Sequence, residues 1–319
     1  MSLQHLERDE GQEMRAVQIH RFGGPEVIVI DDIDRPAPGV GEVLVRVAAS
    51  GVAPWDALIR EGKSKVSPQP PLTLGSDLSG VIEAAGPEVA DLSPGDEVYG
   101  VTNPQFVGAN AEYAIASAKM IARKPKRLTH IEAASVPVVA VTAWQMLFEY
   151  ARVTEGQRIF ILGAAGNVGS YAVQLAAKRE LNITAIVRSR DMEYVRALGA
   201  DVVLDSQAAV FDAINPVDAV IDLVGGDARE QSFRAVKRGG IVVSVVSTDP
   251  MPQHSDVRSA FFYAEVTTAR LNRISQMLDD GNLLPQVGTI LGLDQARTAH
   301  QMLAGAPHKR GKIVLQVTG

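Results

Sequence analysis

The sequence of 319 residues contains no cysteine. This absence excludes a disulfide, a thiolate nucleophile and any zinc or iron–sulfur site built on cysteine. A reducing compartment is compatible with it, and we expect the protein to be cytoplasmic.

An excess of basic residues and long apolar runs are also missing. The 31 Lys and Arg residues are outnumbered by 37 Asp and Glu residues, which gives a formal net charge of -6. Nucleic acid or an anionic membrane surface would require clustered positive charge, so we expect neither as a partner. Since no apolar run approaches about 18 residues, we also expect no membrane span.

The first thirteen residues, MSLQHLERDEGQE, are polar and acidic and contain no apolar signal segment. Regular patterning begins only at Met14. We therefore expect residues 1–13 to form a disordered leader, which is either native or in part a cloning remnant.

Two parts of the chain differ in pattern. Residues 14 to about 125 contain short strand-like runs between turn residues, which predicts an irregular β-rich domain. From about residue 133, apolar strands alternate with amphipathic helices, which predicts a doubly wound parallel sheet and an α/β fold class. The alternation includes a helix at 227–240 (DAREQSFRAVKRGG) and a strand at 241–247 (IVVSVVS).

A glycine-rich turn follows the first strand of this alternation and precedes a helix. Gly166 lets the backbone approach a pyrophosphate, Gly169 lets the helix pack closely on the strand, and the helix N-terminus attracts the anion. Such a turn can also be a tight connection that binds nothing, but the strand–turn–helix context predicts a dinucleotide site. The predicted cofactor-binding residues in it are Gly163, Ala164, Ala165, Gly166, Asn167, Val168 and Gly169.

The end of the second strand indicates which nicotinamide cofactor is bound. An NAD enzyme places Asp or Glu there, on the ribose 2′-hydroxyl, whereas this chain has Arg188, Ser189 and Arg190. Two guanidinium groups with a hydroxyl between them suit a 2′-phosphate, so we predict NADPH. The alternative is a solvated loop in which Asp191 only caps the next helix.

Four motifs follow one another along the chain: GVAPWDALIREG, LGSDLSGVIEAAGPEVADLSPGDEVYG, EAASVPVVAVTAWQMLF and LGAAGNVGSYAVQLAAK. With these motifs in this order, the chain resembles the zinc-free quinone oxidoreductase branch of the medium-chain dehydrogenase/reductase superfamily, from Met14 to the C-terminal RGKIVLQV. The resemblance implies a GroES-like catalytic domain at 14–132 and 266–319 and a Rossmann nucleotide-binding domain at 133–265.

Zinc-dependent relatives carry Gly-His-Glu where this chain has Gly75, Ser76 and Asp77, and they take further ligands from cysteines. The six histidines show no metal-ligand spacing. We therefore expect no metal, and we interpret LGSDLSG, residues 74–80, as a framework turn in which Ser76 could still face the cleft.

The resemblance also implies catalytic candidates, Trp55, Asp56 and Thr142. Trp55 could stack on a flat substrate or simply pack on the β-rich domain. Asp56 could organise the site by hydrogen bonding or cap the helix that follows it. Thr142 is implied to lie near the nicotinamide. The branch commonly has asparagine where this chain has Ala53, so one side-chain amide is missing from the expected site.

Further cofactor-binding candidates come from later motifs. Val224 and Gly225 are implied to lie near the nicotinamide, and Ser247 follows the fifth strand. Arg310 and Lys312 could reach the cofactor phosphates or form a solvated basic patch.

Relatives resembling this chain pair the last strand of the nucleotide-domain sheet across a two-fold axis. We place that strand at FFYAEVT, residues 261–267, and predict a homodimer.

Without a Lewis acid, an alkoxide would be poorly stabilised, so the expected substrate is an easier hydride acceptor. We predict a metal-free NADPH-dependent reductase of small-molecule quinones. The alternatives are a reductase of α,β-unsaturated carbonyls and, in a different class, a non-catalytic NADPH-binding sensor or structural protein.

Overall fold

The computed structural model describes residues 13–208, 211, 214–246 and 256–317. Ser247 and almost all of the predicted leader lie outside these residues. The strands are β1 (Glu13–Ile19), β2 (Ile28–Asp34), β3 (Glu42–Val52), β4 (Leu72–Thr73), β5 (Asp77–Ala85), β6 (Glu97–Val101), β7 (Tyr113–Ser117), β8 (Ile121–Arg123), β9 (Arg158–Leu162), β10 (Asn182–Val187), β11 (Val202–Asp205), β12 (Val217–Asp222), β13 (Val236–Ser244), β14 (Arg258–Phe261), β15 (Val287–Gly292) and β16 (Lys312–Gln316).

Eight α-helices connect or follow these strands in the described part of the chain. None of them combines the length and the apolar character that crossing a membrane requires. The helices are α1 (Pro54–Arg60), α2 (His130–Ala134), α3 (Pro137–Trp144), α4 (Asn167–Ala177), α5 (Met192–Ala197), α6 (Gly226–Ser232), α7 (Thr268–Asp279) and α8 (Ala296–Leu303).

The chain divides into two compact units. Unit 1 contains the residues up to Pro137, Thr267–Asn272 and those from Val287 onward, and unit 2 contains Val138–Val266 and Arg273–Gln286. The main division lies close to the predicted one, but residues 273–286 group with unit 2 although the sequence placed them with the β-rich domain. Hydrogen bonds account for the difference, because Leu284 N–H donates to Gln174 Oε1 (2.9 Å) and Leu284 O accepts from the same amide (3.3 Å).

Unit 1 is built around the long strand β3. Its first half pairs with β7, its second half pairs with the C-terminal strand β16, and β5 pairs along most of its length, all antiparallel. A separate three-stranded sheet has the order β2-β1-β4. The apolar side chains of both sheets form the core of this unit, including Val17, Ile19, Val45, Leu78 and Leu315.

A buried arginine joins α1 to α8 within unit 1. Arg60 Nη1 lies 2.8 Å from His300 Nδ1, and Arg60 Nε donates to Gly23 O (3.0 Å). Burial, together with the Arg60 charge, lowers the pKa of His300 to about 3. His300 therefore stays neutral and accepts the guanidinium hydrogen bond as a residue of the core.

Unit 2 contains a six-stranded parallel sheet of order β11-β10-β9-β12-β13-β14. The predicted doubly wound sheet is confirmed. Residues Ile159–Leu162 of β9 are fully buried because helices cover both faces of such a sheet. The strand order reverses between β9 and β12, and ligands of this architecture bind outside the carboxyl ends of the strands at that reversal.

Two predicted elements of unit 2 are placed differently by the structure. The helix predicted to reach Gly240 ends at Ser232, and β13 already begins at Val236, which is paired with Val217 of β12. The edge strand β14 is Arg258–Phe261, so FFYAEVT mostly follows that strand instead of forming it. The homodimer stays a prediction.

Replacing Gly75 by alanine should destabilise the protein more than replacing Gly95 does. Both glycines have φ near +90°, where an L side chain costs about 1–2 kcal/mol. A Cβ on Gly75 would lie 2.2 Å from Oδ1 of buried Asn110, whereas one on Gly95 meets nothing within 4 Å. We expect Gly75→Ala to cost at least about 1 kcal/mol more than Gly95→Ala in urea unfolding, and equal losses would contradict this packing.

Candidate functional site

The turn LGSDLSG places two polar side chains in the interior of unit 1. Ser76 and Asp77 are both fully buried. Trp55 Nε1 donates to Ser76 Oγ (3.0 Å), and Lys312 Nζ donates to Asp77 Oδ2 (2.6 Å). The interpretation as a framework turn agrees with this geometry. Ser76 does not face a cleft, because its hydroxyl is buried against the indole.

Lys312 lies at the centre of a group that we call the Lys312 cluster, consisting of Trp55, Asp56, Ser76, Asp77 and Lys312. Its side chain is 1% exposed, and Nζ lies 4.3 Å from the centroid of the Trp55 ring. This position corrects the expectation that Lys312 reaches cofactor phosphates, since its ammonium group is bound to Asp77 inside unit 1. Arg310, two residues earlier, is exposed.

Asp56 is the second carboxylate of the Lys312 cluster. Its Oδ2 accepts the Ala53 N–H (2.8 Å), so Asp56 caps α1 from the third position of the helix, with Ala53 as the N-cap residue, and does not precede the helix as expected. Its Oδ1 is buried and has no hydrogen-bond partner among the described residues. Burial raises the pKa of Asp56 to about 7, with a smaller contribution from Asp77, and Lys312 and the Ala53 N–H oppose the rise. Asp56 can therefore exchange a proton near neutral pH.

Of the two roles that the sequence left open for Trp55, packing is observed and stacking on a substrate stays a prediction. Trp55 is only partly buried, and it packs against the core of unit 1. The structure brings Trp55, Asp56 and Lys312 together, although the sequence assigned the last of these to a different task.

Thr142 lies in unit 2, on α3. It is buried, and its Oγ1 donates to Val138 O (2.7 Å), one helical turn earlier. Because its only hydroxyl proton is used within the helix, Thr142 can accept a hydrogen bond from a ligand but does not donate one.

The glycine-rich turn of unit 2 connects the carboxyl end of β9 to α4. A Cβ on Gly169 would lie 2.3 Å from Gly163 O, so α4 can pack here only if this residue is glycine. Gly166 is exposed at the N-cap of α4, and a Cβ there would approach only Gly163 O, at 3.3 Å. The space outside Gly166 and the unpaired N–H groups of the helix terminus fit a pyrophosphate.

A second loop meets this turn at the carboxyl end of β12. Val224 is half exposed, and its Cγ2 would lie 3.1 Å from a Cβ on Gly163. Val224 N–H and Gly225 N–H donate to Asp222 Oδ1 (3.0 and 2.9 Å), and Ser244 Oγ donates to Asp222 Oδ2 (2.7 Å). Asp222 therefore holds the loop in place, a role that the sequence analysis missed; its position as the polar last residue of an apolar strand was the available signal.

Arg188, Ser189 and Arg190 are exposed directly after β10. Arg190 Nε lies 3.9 Å from Asp191 Oδ2, and Ser189 Oγ donates to Asp205 at the end of β11. Asp191 occupies the N-cap of α5 without a capping hydrogen bond from its side chain. The Asp191 side chain therefore does not cap α5, whereas the exposure of the three residues before it fits either a solvated loop or a phosphate site, so both interpretations stay open.

Known proteins share this architecture. Residues 39–126 match the family model of the alcohol dehydrogenase GroES-like domain, and residues 198–315 match that of a zinc-binding dehydrogenase. The chain is 31% identical over 286 residues to 2-methylene-furan-3-one reductase of Solanum lycopersicum, covering 86% of this chain and 71% of that protein. The chain belongs to the medium-chain dehydrogenase/reductase superfamily.

Two further members of the superfamily are similar over nearly the whole chain. Human quinone oxidoreductase is 29% identical over 323 residues, which cover 95% of this chain and 97% of that protein. The structure of the quinone oxidoreductase from Coxiella burnetii is 30% identical and superimposes with a TM-score of 0.87, covering 96% of this chain and 100% of that one. The chain is thus an NAD(P)H-dependent oxidoreductase of the medium-chain dehydrogenase/reductase superfamily.

The described side chains do not form a recognisable metal site. In the part of the chain that the structure describes, no three His, Asp or Glu side chains are grouped so as to hold a metal ion. The two polar side chains of LGSDLSG bind Trp55 and Lys312 instead. The metal-free enzyme stays a prediction that rests on Ser76 and on the absence of cysteine.

Asp56→Asn should remove one source of pH-dependent stability. Because the folded-state pKa of about 7 lies above the ordinary aspartate pKa of 3.8, the protein loses stability as pH rises from about 4 to about 7. Asparagine keeps an acceptor for the Ala53 N–H and carries no charge. The variant should therefore be similar to the parent at pH 4 and more stable at pH 8, by up to roughly 4 kcal/mol in urea unfolding.

The matched control is Asp32→Asn, which removes an exposed carboxylate from the same unit. A stability difference between Asp56→Asn and the parent that is the same at both pH values would show that Asp56 is ionised throughout.

Proposed function

We propose that the chain is a metal-free, NADPH-dependent reductase that transfers a hydride to quinones. The observation that carries the choice of cofactor is the exposed pair Arg188 and Arg190 at the carboxyl end of β10, where an enzyme specific for NAD has an acidic residue. The choice of quinones is supported by the similarity to two quinone oxidoreductases over nearly the whole chain.

The residues of unit 2 divide the binding of the cofactor between them. The turn 163–169 and the N-terminus of α4 would hold the pyrophosphate, and Arg188 and Arg190 would hold the 2′-phosphate. The Val224–Gly225 loop, fixed by Asp222, would line the same edge of the sheet. When bound, NADPH supplies the hydride.

The residues of unit 1 suit an acceptor that needs little charge stabilisation. A quinone delocalises the charge that it receives, so orientation and a few hydrogen bonds are sufficient. Trp55 offers a partly exposed aromatic ring for stacking on a flat substrate. Its orientation is fixed by the Ser76 hydrogen bond and by Lys312 beneath the ring.

Reduction of α,β-unsaturated carbonyls is the second candidate. It is favoured by the similarity to 2-methylene-furan-3-one reductase. Hydride addition to the double bond leaves an enolate whose carbon must be protonated, and the Asp56 carboxyl, with a pKa of about 7, is an acid that could supply the proton; reduction of a quinone also takes up a proton, so Asp56 by itself does not separate the two candidates. A non-catalytic NADPH-binding protein is the third candidate. It is suggested by Ala53, whose apolar side chain stands where the quinone oxidoreductase branch commonly has the amide of an asparagine.

Arg188→Ala and Arg190→Ala should each weaken NADPH binding and leave NADH binding nearly unchanged. Each variant removes a charge-assisted contact to the 2′-phosphate worth roughly 1.5–3 kcal/mol, which corresponds to about ten- to a hundredfold in affinity. Arg196→Ala, which removes an exposed arginine from α5, is the control and should change neither dissociation constant. Titration calorimetry with both cofactors measures the effect. If the parent binds NADH as tightly as NADPH, or if both cofactors weaken equally, the arginines do not bind the phosphate.

The reaction itself is tested by NADPH oxidation over a panel of quinones, enals and enones. We expect turnover with quinones, because their hydride adducts delocalise charge without a Lewis acid. Turnover with enones and enals alone would favour the second candidate. Tight NADPH binding without turnover on any member of the panel would favour the third.

A further inference from the structure

A carboxylate that the sequence analysis did not predict lies beside the proposed 2′-phosphate site. Asp205 is the last residue of β11 and is paired in register with Val187, the last residue of β10. Arg188 follows Val187 directly. The carboxyl ends of two neighbouring parallel strands therefore place an acidic residue next to the segment Arg188–Arg190.

Asp205 also binds the hydroxyl group that lies between the two arginines. Ser189 Oγ donates to Asp205 Oδ2, and Gln207 N–H donates to Oδ1 (3.0 Å). A serine hydroxyl has a single proton to donate. While this bond is present, Ser189 offers a phosphate only lone pairs, so it cannot join the arginines in donating to the anion.

The Asp205 carboxylate carries its charge under the conditions in which the cofactor binds. The N–H of Gln207 and the hydroxyl of Ser189 lower its pKa below the usual range, and the residue is only partly buried. An ionised carboxylate near a bound 2′-phosphate repels it, and salt screens this repulsion only in part at such short range.

We propose that Asp205 is a specificity-determining residue that weakens binding of the 2′-phosphate to Arg188 and Arg190, and so narrows the preference for NADPH over NADH. The proposal rests on the proposed function, because it takes these arginines as the phosphate site. Binding of the adenosine group, which both cofactors share, should not depend on Asp205, since only the 2′-phosphate places an anion beside the carboxylate.

Asp205→Asn tests the proposal, with binding rather than activity as the measurement. The probes are NADPH and NADH, together with adenosine 2′,5′-bisphosphate and 5′-AMP, which differ from each other only by the 2′-phosphate. We expect the variant to bind NADPH and the bisphosphate about threefold more tightly at low ionic strength. NADH and 5′-AMP should bind as in the parent, which also shows that the variant is folded.

Two matched variants separate the charge from other effects. Glu155→Gln removes an exposed carboxylate that precedes β9, at the amino ends of the strands and therefore far from the proposed phosphate site at their carboxyl ends. It should leave all four affinities unchanged. Ser189→Ala removes the hydroxyl but keeps the Asp205 charge, so it should not tighten NADPH binding.

Unchanged or weaker NADPH binding in Asp205→Asn would overturn the proposal, and so would equal tightening in Ser189→Ala. A loss of NADH affinity instead would assign Asp205 to the ribose hydroxyl. These failures are distinct from failure of the proposed function, which appears in Arg188→Ala as an equal change for both cofactors.

Discussion

One buried ammonium group holds together the parts of unit 1 that form its candidate site. Lys312 begins the last strand, yet it binds Asp77, which lies 235 positions earlier, and its ammonium group lies over the ring of Trp55 on α1. Removing either partner of such a pair would leave an uncompensated charge in the core. The site around Trp55 is therefore complete only after the C-terminal segment has paired with β3.

The same ammonium group explains how the polar side chains of LGSDLSG can be buried. A polar side chain buried without a partner costs free energy, so Ser76 and Asp77 each need one. Trp55 supplies an N–H to the first and Lys312 an N–H to the second. The hydrogen bonds of both side chains are thus made within unit 1.

Features that depend on short continuous stretches of sequence could be predicted, whereas features that depend on residues remote in sequence could not. Most strands of the parallel sheet, the turn 163–169 and the position of the arginines after β10 follow from continuous stretches of sequence, whereas the edge strand was placed too late in the chain, at FFYAEVT. Lys312 could not be assigned, because a lysine that opens a strand is usually solvated and its partner is remote in sequence. The early start of β13 at Val236 was also missed because its cause is remote in sequence. Pairing with Val217 of β12 overrides the local helical pattern.

Four aspartates show how the number of nearby donors sets the chemistry of each carboxylate. Asp222 is buried with three donors and fixes a loop; Asp77 is buried with a lysine and fixes a strand. Asp56 shares that one lysine and has one N–H, so burial outweighs its partners and raises its pKa towards neutrality. The fourth, Asp205, is only partly buried and accepts hydrogen bonds from Ser189 and from the Gln207 N–H. Asp222 and Asp77 therefore hold parts of the fold in place, whereas Asp205 lies where a ligand could approach it.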